Sequence, residues 1–167
     1  HLRPRRQRQM CIRDRPVTVP HDAKQPVQFV ISDINRRMGI LTDIGHITTA
    51  IKEMYSSLDG LIIEFNYDEE MLNKGKYPLK IKKRIAGRYG HLSNSQSIEF
   101  LKAMDLSKLK LLVAGHISEN NNSIQKINEL LKLDEGEFKA IIAPPGWESG
   151  WLCLLYTSPS PRDSDQS

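Results

Sequence analysis

From Val27 onward the chain alternates short β-branched runs with segments of helical spacing, and that alternation confines it to a layered α/β domain. Val27 to Ser32 and Met38 to Thr42 read as two strands joined by the turn Asp33-Ile34-Asn35-Arg36, a hairpin. Ile47, Ile51, Met54 and Leu58 recur at helical spacing, Gly60 breaks the pattern, and Leu61 to Phe65 reads as a buried strand. Asp68 to Leu72 and Tyr77 to Ile85 read as short helices, the second made basic by Lys80, Lys82, Lys83 and Arg84. Ser93 followed by Gln96 matches a capping box that starts a helix running to about Met104. Leu109 to Ala114 is expected to be a strand, Ser123 to Leu133 a helix, and Phe138 to Ala143 a last strand.

The two ends do not share this pattern. Arg5 to Arg15 (RRQRQMCIRDR) reads as a translated sequencing adapter of the transposase type, and Cys153 to Asp163 (CLLYTSPSPRD) as the reverse complement of its companion. Residues 1–15 and 153–167 are therefore set apart as foreign, the latter expected to be disordered, and residues 16–152 are taken as the partial domain. An arginine-rich nucleic-acid arm is the rival reading of the first stretch. The net charge of +4 belongs to the ends: they hold seven basic and three acidic residues, so the middle keeps 24 − 7 = 17 basic and 20 − 3 = 17 acidic, a balance of zero. Both cysteines, Cys11 and Cys153, also lie in the ends. A disulfide framework and a thiolate metal site are thereby excluded from the middle. No apolar run approaches the ~20 residues that span a bilayer, and the expectation is a cytoplasmic protein without a membrane segment.

Four histidines stand in the middle, each beside a strand and none on a helix face: His21, His46, His91 and His116. Asp43 closes the second strand. Loops at strand ends are where a rigid sheet presents ligands, and neutral imidazole with carboxylate suits Zn²⁺, Mn²⁺ or Fe. The spacing is long and irregular, so any one of these histidines taken alone reads as a capping or surface residue; the joint pattern carries the metal reading.

The segments PHDAKQP (Pro20–Pro26), ILTDIGHIT (Ile40–Thr48), IEFNYDEEML (Ile63–Leu72), GHLSN (Gly90–Asn94) and AGHISENNN (Ala114–Asn122) together resemble the metallo-β-lactamase superfamily, most closely its YycJ/WalJ-like branch of exonuclease-like hydrolases. The resemblance implies the C-terminal half of an αββα sandwich, with two divalent ions, Zn or Mn, between the sheets. It implies His21 as a ligand of one ion, Asp43 as the bridge and His116 as a ligand of the other, with a shared water acidified to hydroxide for attack on phosphorus. Glu64 and His91 would pair so that His91 binds the phosphate or protonates the leaving oxygen. His46 has no ligand counterpart and is expected to be a loop or helix-capping residue. The implied activity is a metal-dependent phosphodiesterase, a 5′-to-3′ exonuclease on DNA; the alternatives are a hydrolase of an ester, thioester or lactam, and a non-catalytic fragment.

Two departures matter. The superfamily's His-x-His-x-Asp-His motif is absent, and three ligands cannot hold two ions that each need at least three. This chain alone is thus expected to be inactive. The branch often carries His where Tyr67 stands, which removes Tyr67 from the expected ligands. With the other sheet missing, apolar surface on the hairpin and on Leu61 to Phe65 is expected to lack cover. Lys80, Lys82, Lys83 and Arg84 read either as a nucleic-acid contact or as a solvated helix face. Asn120, Asn121 and Asn122 are expected to cap the helix that follows.

Overall fold

A computed structural model describes residues 12–132, 138–150, 152 and 154. Its core is one six-stranded sheet in chain order: β1 (Arg13–Thr18), β2 (Val27–Ser32), β3 (Arg37–Leu41), β4 (Gly60–Glu64), β5 (Leu111–Gly115) and β6 (Lys139–Ile142). The first two pairings are antiparallel and the remaining three parallel. The crossovers carry α1 (Thr49–Met54), then α2 (Glu69–Lys74), α3 (Leu79–Ile85) and α4 (Asn94–Lys102), and finally α5 (Ile124–Lys132).

The direction of the strands decides where chemistry can gather. Because β2 alone runs opposite to the rest, β1, β3, β4 and β5 all end at the same edge of the sheet. The carboxyl ends of such strands form the crevice in which open α/β sheets place their ligands. His21 follows the end of β1, Asp43 the end of β3, Glu64 ends β4 and His116 follows β5.

The hairpin turn is set locally: Asp33 Oδ1 accepts from the backbone N–H of Asn35 and of Arg36, both at 2.7 Å. The Ser93–Gln96 capping box is present in both directions. Helix α1 is shorter than its apolar spacing predicts. Thr48 caps it by accepting from Ile51 N–H, and it stops at Tyr55, whose fully buried ring sends its hydroxyl to the Ile40 carbonyl at 2.6 Å. The Tyr55 hydroxyl thus ties the end of the helix to β3. Strand β1 begins at Arg13, so the expected boundary at residue 16 falls inside a strand; its first four residues are exposed on the sheet's edge. Of 153–167, only Leu154 lies among the described residues.

Alternation along the strands separates two faces. Val30, Leu41, Leu61, Ile63, Leu112 and Ala114 are buried with Ile51, Tyr55 and Leu101, so the expectation that Leu61 to Phe65 lacks cover is corrected: Leu61, Ile63 and Phe65 lie in the core. The neighbours of opposite parity, Phe29, Ile40, Ile62, Val113 and Ile141, align across the ladders on the other face; Val113 is buried and the other four are only half-buried.

Candidate metal centre

Five of the six ionisable residues picked out by sequence meet at the common strand edge. Glu64 is the hub. Its side chain is fully buried, its Oε1 accepts from Nδ1 of both His91 and His116 at 2.7 Å, and its Oε2 accepts from the Ile44 backbone N–H at 3.0 Å. An ionised carboxylate only accepts, so both rings carry their hydrogen on Nδ1 and keep a lone pair on Nε2. His21 is fixed in the same sense: its Nδ1 donates to the Gly90 carbonyl at 2.9 Å. The sequence pairs Glu64 with His91; the structure adds His116 as a second partner of the same oxygen.

Asp43 sits among the free nitrogens. Its Oδ1 is 3.5 Å from His21 Nε2 and 3.6 Å from His116 Nε2, and 3.9 Å from His91 Nδ1. The His91 ring lies between the others, with centroids 5.1 Å from His21 and 5.2 Å from His116. Two sets of three residues bring their ligand atoms within 4.8 Å of one another: His21 with Asp43 and His91, and Glu64 with His91 and His116. Asp43 and His116 both hold positive φ, +52° and +51°. Left-handed backbone is uncommon outside glycine, though Asp and His tolerate it better than most, and it collects at functional sites.

The donor set fits a divalent cation. Two imidazole lone pairs directed at one carboxylate oxygen repel it unless a positive charge stands between them. Without an ion, protons supply that charge: His116 titrates above its ordinary 6.5, because Glu64 accepts its Nδ1–H and because both Glu64 and Asp43 are negative nearby, against an opposing effect of burial. Burial pushes Glu64 up, yet the hydrogen bonds from His116 and His91 more than offset it, and its carboxyl lies below 4.5.

His46 stands outside this cluster. Its Nδ1 donates to the Arg88 carbonyl at 2.8 Å, and its ring meets Tyr89 edge-on. Asn122 does not cap the helix as expected: it exchanges two hydrogen bonds with the buried Asn94 amide (2.8 and 2.9 Å) and donates to the Phe65 carbonyl. The helix cap itself is Ser123, which accepts from Lys126 N–H.

The loop before His91 is held against the site from behind. Asp22 N–H donates to the Tyr89 carbonyl, and Gly45 N–H to the Pro20 carbonyl. A Cβ on Gly45 would stand 2.3 Å from the Arg88 carbonyl oxygen and 2.7 Å from Gly90 N. Both are backbone atoms and cannot swing aside. Gly45→Ala is therefore expected to cost about 1–3 kcal/mol and to break the His21–Gly90 hydrogen bond. A urea melt together with the His21 ring NMR shift checks this; unchanged values of both would overturn it.

No family model matches the chain. It is 31% identical over 104 residues to exodeoxyribonuclease YycJ of Bacillus anthracis, covering 62% of this chain and 39% of that protein. It is 30% identical over 135 residues to exodeoxyribonuclease WalJ of Streptococcus pneumoniae serotype 2 (strain D39), covering 76% of this chain and 50% of that protein. The chain thus spans about half the length, or less, of the curated relatives it matches. Among solved structures it is similar to Zn²⁺-bound PqqB from Methylobacterium extorquens, with a TM-score of 0.51 at 16% identity over 81% of this chain and 46% of that one. A diphosphatase of the PhnP family gives 0.45 at 18% identity over 69% and 36%. No described helix is long and apolar enough to cross a membrane.

Proposed function

We propose that this chain, a relative of the YycJ and WalJ exodeoxyribonucleases with a metallo-β-lactamase fold, is one half of a metal-dependent phosphodiesterase that degrades DNA from the 5′ end. One observation carries the reading: His21 Nε2 and His116 Nε2 both stand at Asp43 Oδ1, each fixed in its tautomer from behind. His21 and Asp43 would hold one divalent ion, Asp43 and His116 a second; Zn or Mn suits such nitrogen and oxygen donors. Bound there, the ions supply Lewis-acid activation of water and of a phosphoryl oxygen.

The chain's own residues account for the remaining work. Glu64 is a positioning residue: buried, it turns two rings toward the crevice and keeps their Nδ1 hydrogens. Among the described residues only Nδ1 of His91 has a hydrogen-bond partner, which leaves Nε2 to hold a phosphate oxygen or pass a proton to the leaving oxygen. His21 and His116 must each be neutral to bind metal. Three ligands fall short of what two ions need, so the two-ion reading requires further ligands besides His21, Asp43 and His116.

The test is the full-length protein containing this chain, loaded with Zn²⁺ or Mn²⁺ and given 5′-phosphorylated single- and double-stranded DNA. Nucleotide release from the 5′ end, abolished by chelator, is expected. Calorimetry should show metal uptake weakening as pH falls through the raised His116 value, because the ring must shed its proton first. Absence of cleavage with stoichiometric metal still bound, together with turnover of a small ester or lactam, would move the reading to a non-nucleic-acid hydrolase. Purification without metal would remove it altogether.

A further inference from the structure

Cation and acid are not mixed along this chain. Between Met71 and Ile98 there are seven Lys or Arg and no Asp or Glu, although residues 16–152 as a whole are balanced. Helix α3 is the centre of that stretch, and it buries none of its residues. Leu79 is 66% exposed, and Lys80, Lys83 and Arg84 stand in solvent. Lys80 lies three and four residues from Lys83 and Arg84, the spacing at which like charges on a helix repel. Arg84 pairs with Asp22; Lys80, Lys83 and Arg88 have no acidic partner among the described residues.

Helix α3, with no buried residue and with self-repelling charge, is tied to Asn73 through Lys82 and, together with the loop that follows it, to the residues beside the candidate metal centre. Arg84 Nε reaches Asp22 Oδ2 at 2.5 Å, beside His21, and the carbonyls of Arg88, Tyr89 and Gly90 accept from His46, from Asp22 N–H and from His21. The same loop exposes Tyr89 at 56%, with its ring braced edge-on by His46 at a centroid distance of 6.4 Å. A fixed, exposed aromatic beside unpaired cations has the two parts of a single-strand platform: charge for the backbone and a π-face for a base.

We infer that α3 and the loop to His91 form the track along which a DNA single strand reaches the metal centre. Lys80, Lys83 and Arg88 neutralise phosphates away from the scissile one, and Tyr89 stacks a base. This rests on the phosphodiesterase reading for its substrate class, but binding can be measured without catalysis. Fluorescence anisotropy of a labelled oligothymidylate with the full-length protein in EDTA reads the track alone.

Lys80→Glu/Lys83→Glu is expected to weaken binding at least tenfold and to flatten the dependence of log K on log[NaCl] by roughly 1.4, about 0.7 for each lost phosphate contact. Tyr89→Ala should cost roughly five- to hundredfold in affinity at an unchanged salt slope. Lys108→Glu/Lys110→Glu makes the same change of charge at the opposite end of the sheet and should leave affinity within twofold. Equal losses in the two charge-reversed proteins would overturn the track in favour of diffuse attraction. So would wild-type affinity in both the α3 and Tyr89 variants, a wild-type protein that does not bind, or displacement of DNA by polyglutamate at equal charge. Intact binding with no metal-dependent cleavage would sink the phosphodiesterase reading and leave the track standing.

Discussion

Glu64→Ala is expected to destabilise the metal-free protein by about 3–5 kcal/mol, the range for removing one partner from a buried charged network. Three donors lose their acceptor at once: Nδ1 of His91, Nδ1 of His116 and the backbone N–H of Ile44. The two rings are partly exposed and can turn to water, but Ile44 is fully buried and its N–H cannot. The pH dependence carries a sign for each partner. Glu64 lies below its ordinary 4.5, so its contribution is present above that value and is lost as pH falls through the folded one. His116 lies above 6.5, so its contribution is full below 6.5 and is lost as pH rises through the raised value. The network is therefore strongest between the two, and the wild-type protein should show a stability maximum there that Glu64→Gln flattens. Chemical denaturation in EDTA across the acid and neutral range measures this, and a Glu64→Gln curve of wild-type shape would refute it.

How much of this could be read from residue order follows from what each feature depends on. Strands β2 to β6 have local signatures, β-branched runs bounded by Asp, Asn and Gly. Strand β1 had none, because Arg13-Asp14-Arg15 is polar and pairs only through the ladder to Val30–Ser32. The two faces of β4 are not separable in the sequence for a related reason: Leu61 to Phe65 reads as one apolar run, and only the register separates the buried Leu61 and Ile63 from the half-buried Ile62 on the other face. At the site, residue types at strand ends offered the four histidines and Asp43, and the resemblance singled out His21, Asp43, Glu64, His91 and His116 from the rest. Their common location comes from strand direction, since β1, β3, β4 and β5 share a polarity. The double use of Glu64 Oε1 had no signal in the sequence, nor had the backbone contact behind Gly45, because each joins parts of the chain brought together only by the crossovers. The mismatch of charge over residues 71–98 was visible in part, as the lysines of α3; its meaning needed the ties that fasten this helix to the crevice.

Asp43→Ala in the full-length protein is expected to lower metal affinity by at least about a hundredfold, beyond the 10- to 100-fold attributed to losing a supporting residue, and to abolish cleavage. The interpretation of that loss depends on a control, because Asp43 holds φ of +52°. Alanine in the left-handed region is strained by about 1–2 kcal/mol, so a fall in activity could reflect a displaced loop. Asp43→Gly removes the same carboxylate where the backbone has no such penalty, and Asp43→Asn keeps shape and tolerance of that conformation while removing the charge. If Asp43 serves to hold cations, all three variants lose metal alike, and only Ala loses stability. Above the raised His116 value, where that ring is neutral, the metal-free Gly and Asn forms should melt at or above the wild-type midpoint, since the carboxylate facing His21 Nε2 and His116 Nε2 then has no cation to offset it. Native stability retained on the strength of strain at a ligand is what a site shaped for binding predicts. Calorimetric titration with Zn²⁺ beside urea melts of the three proteins decides the matter, and wild-type metal affinity in Asp43→Asn would end the assignment of this residue to the centre.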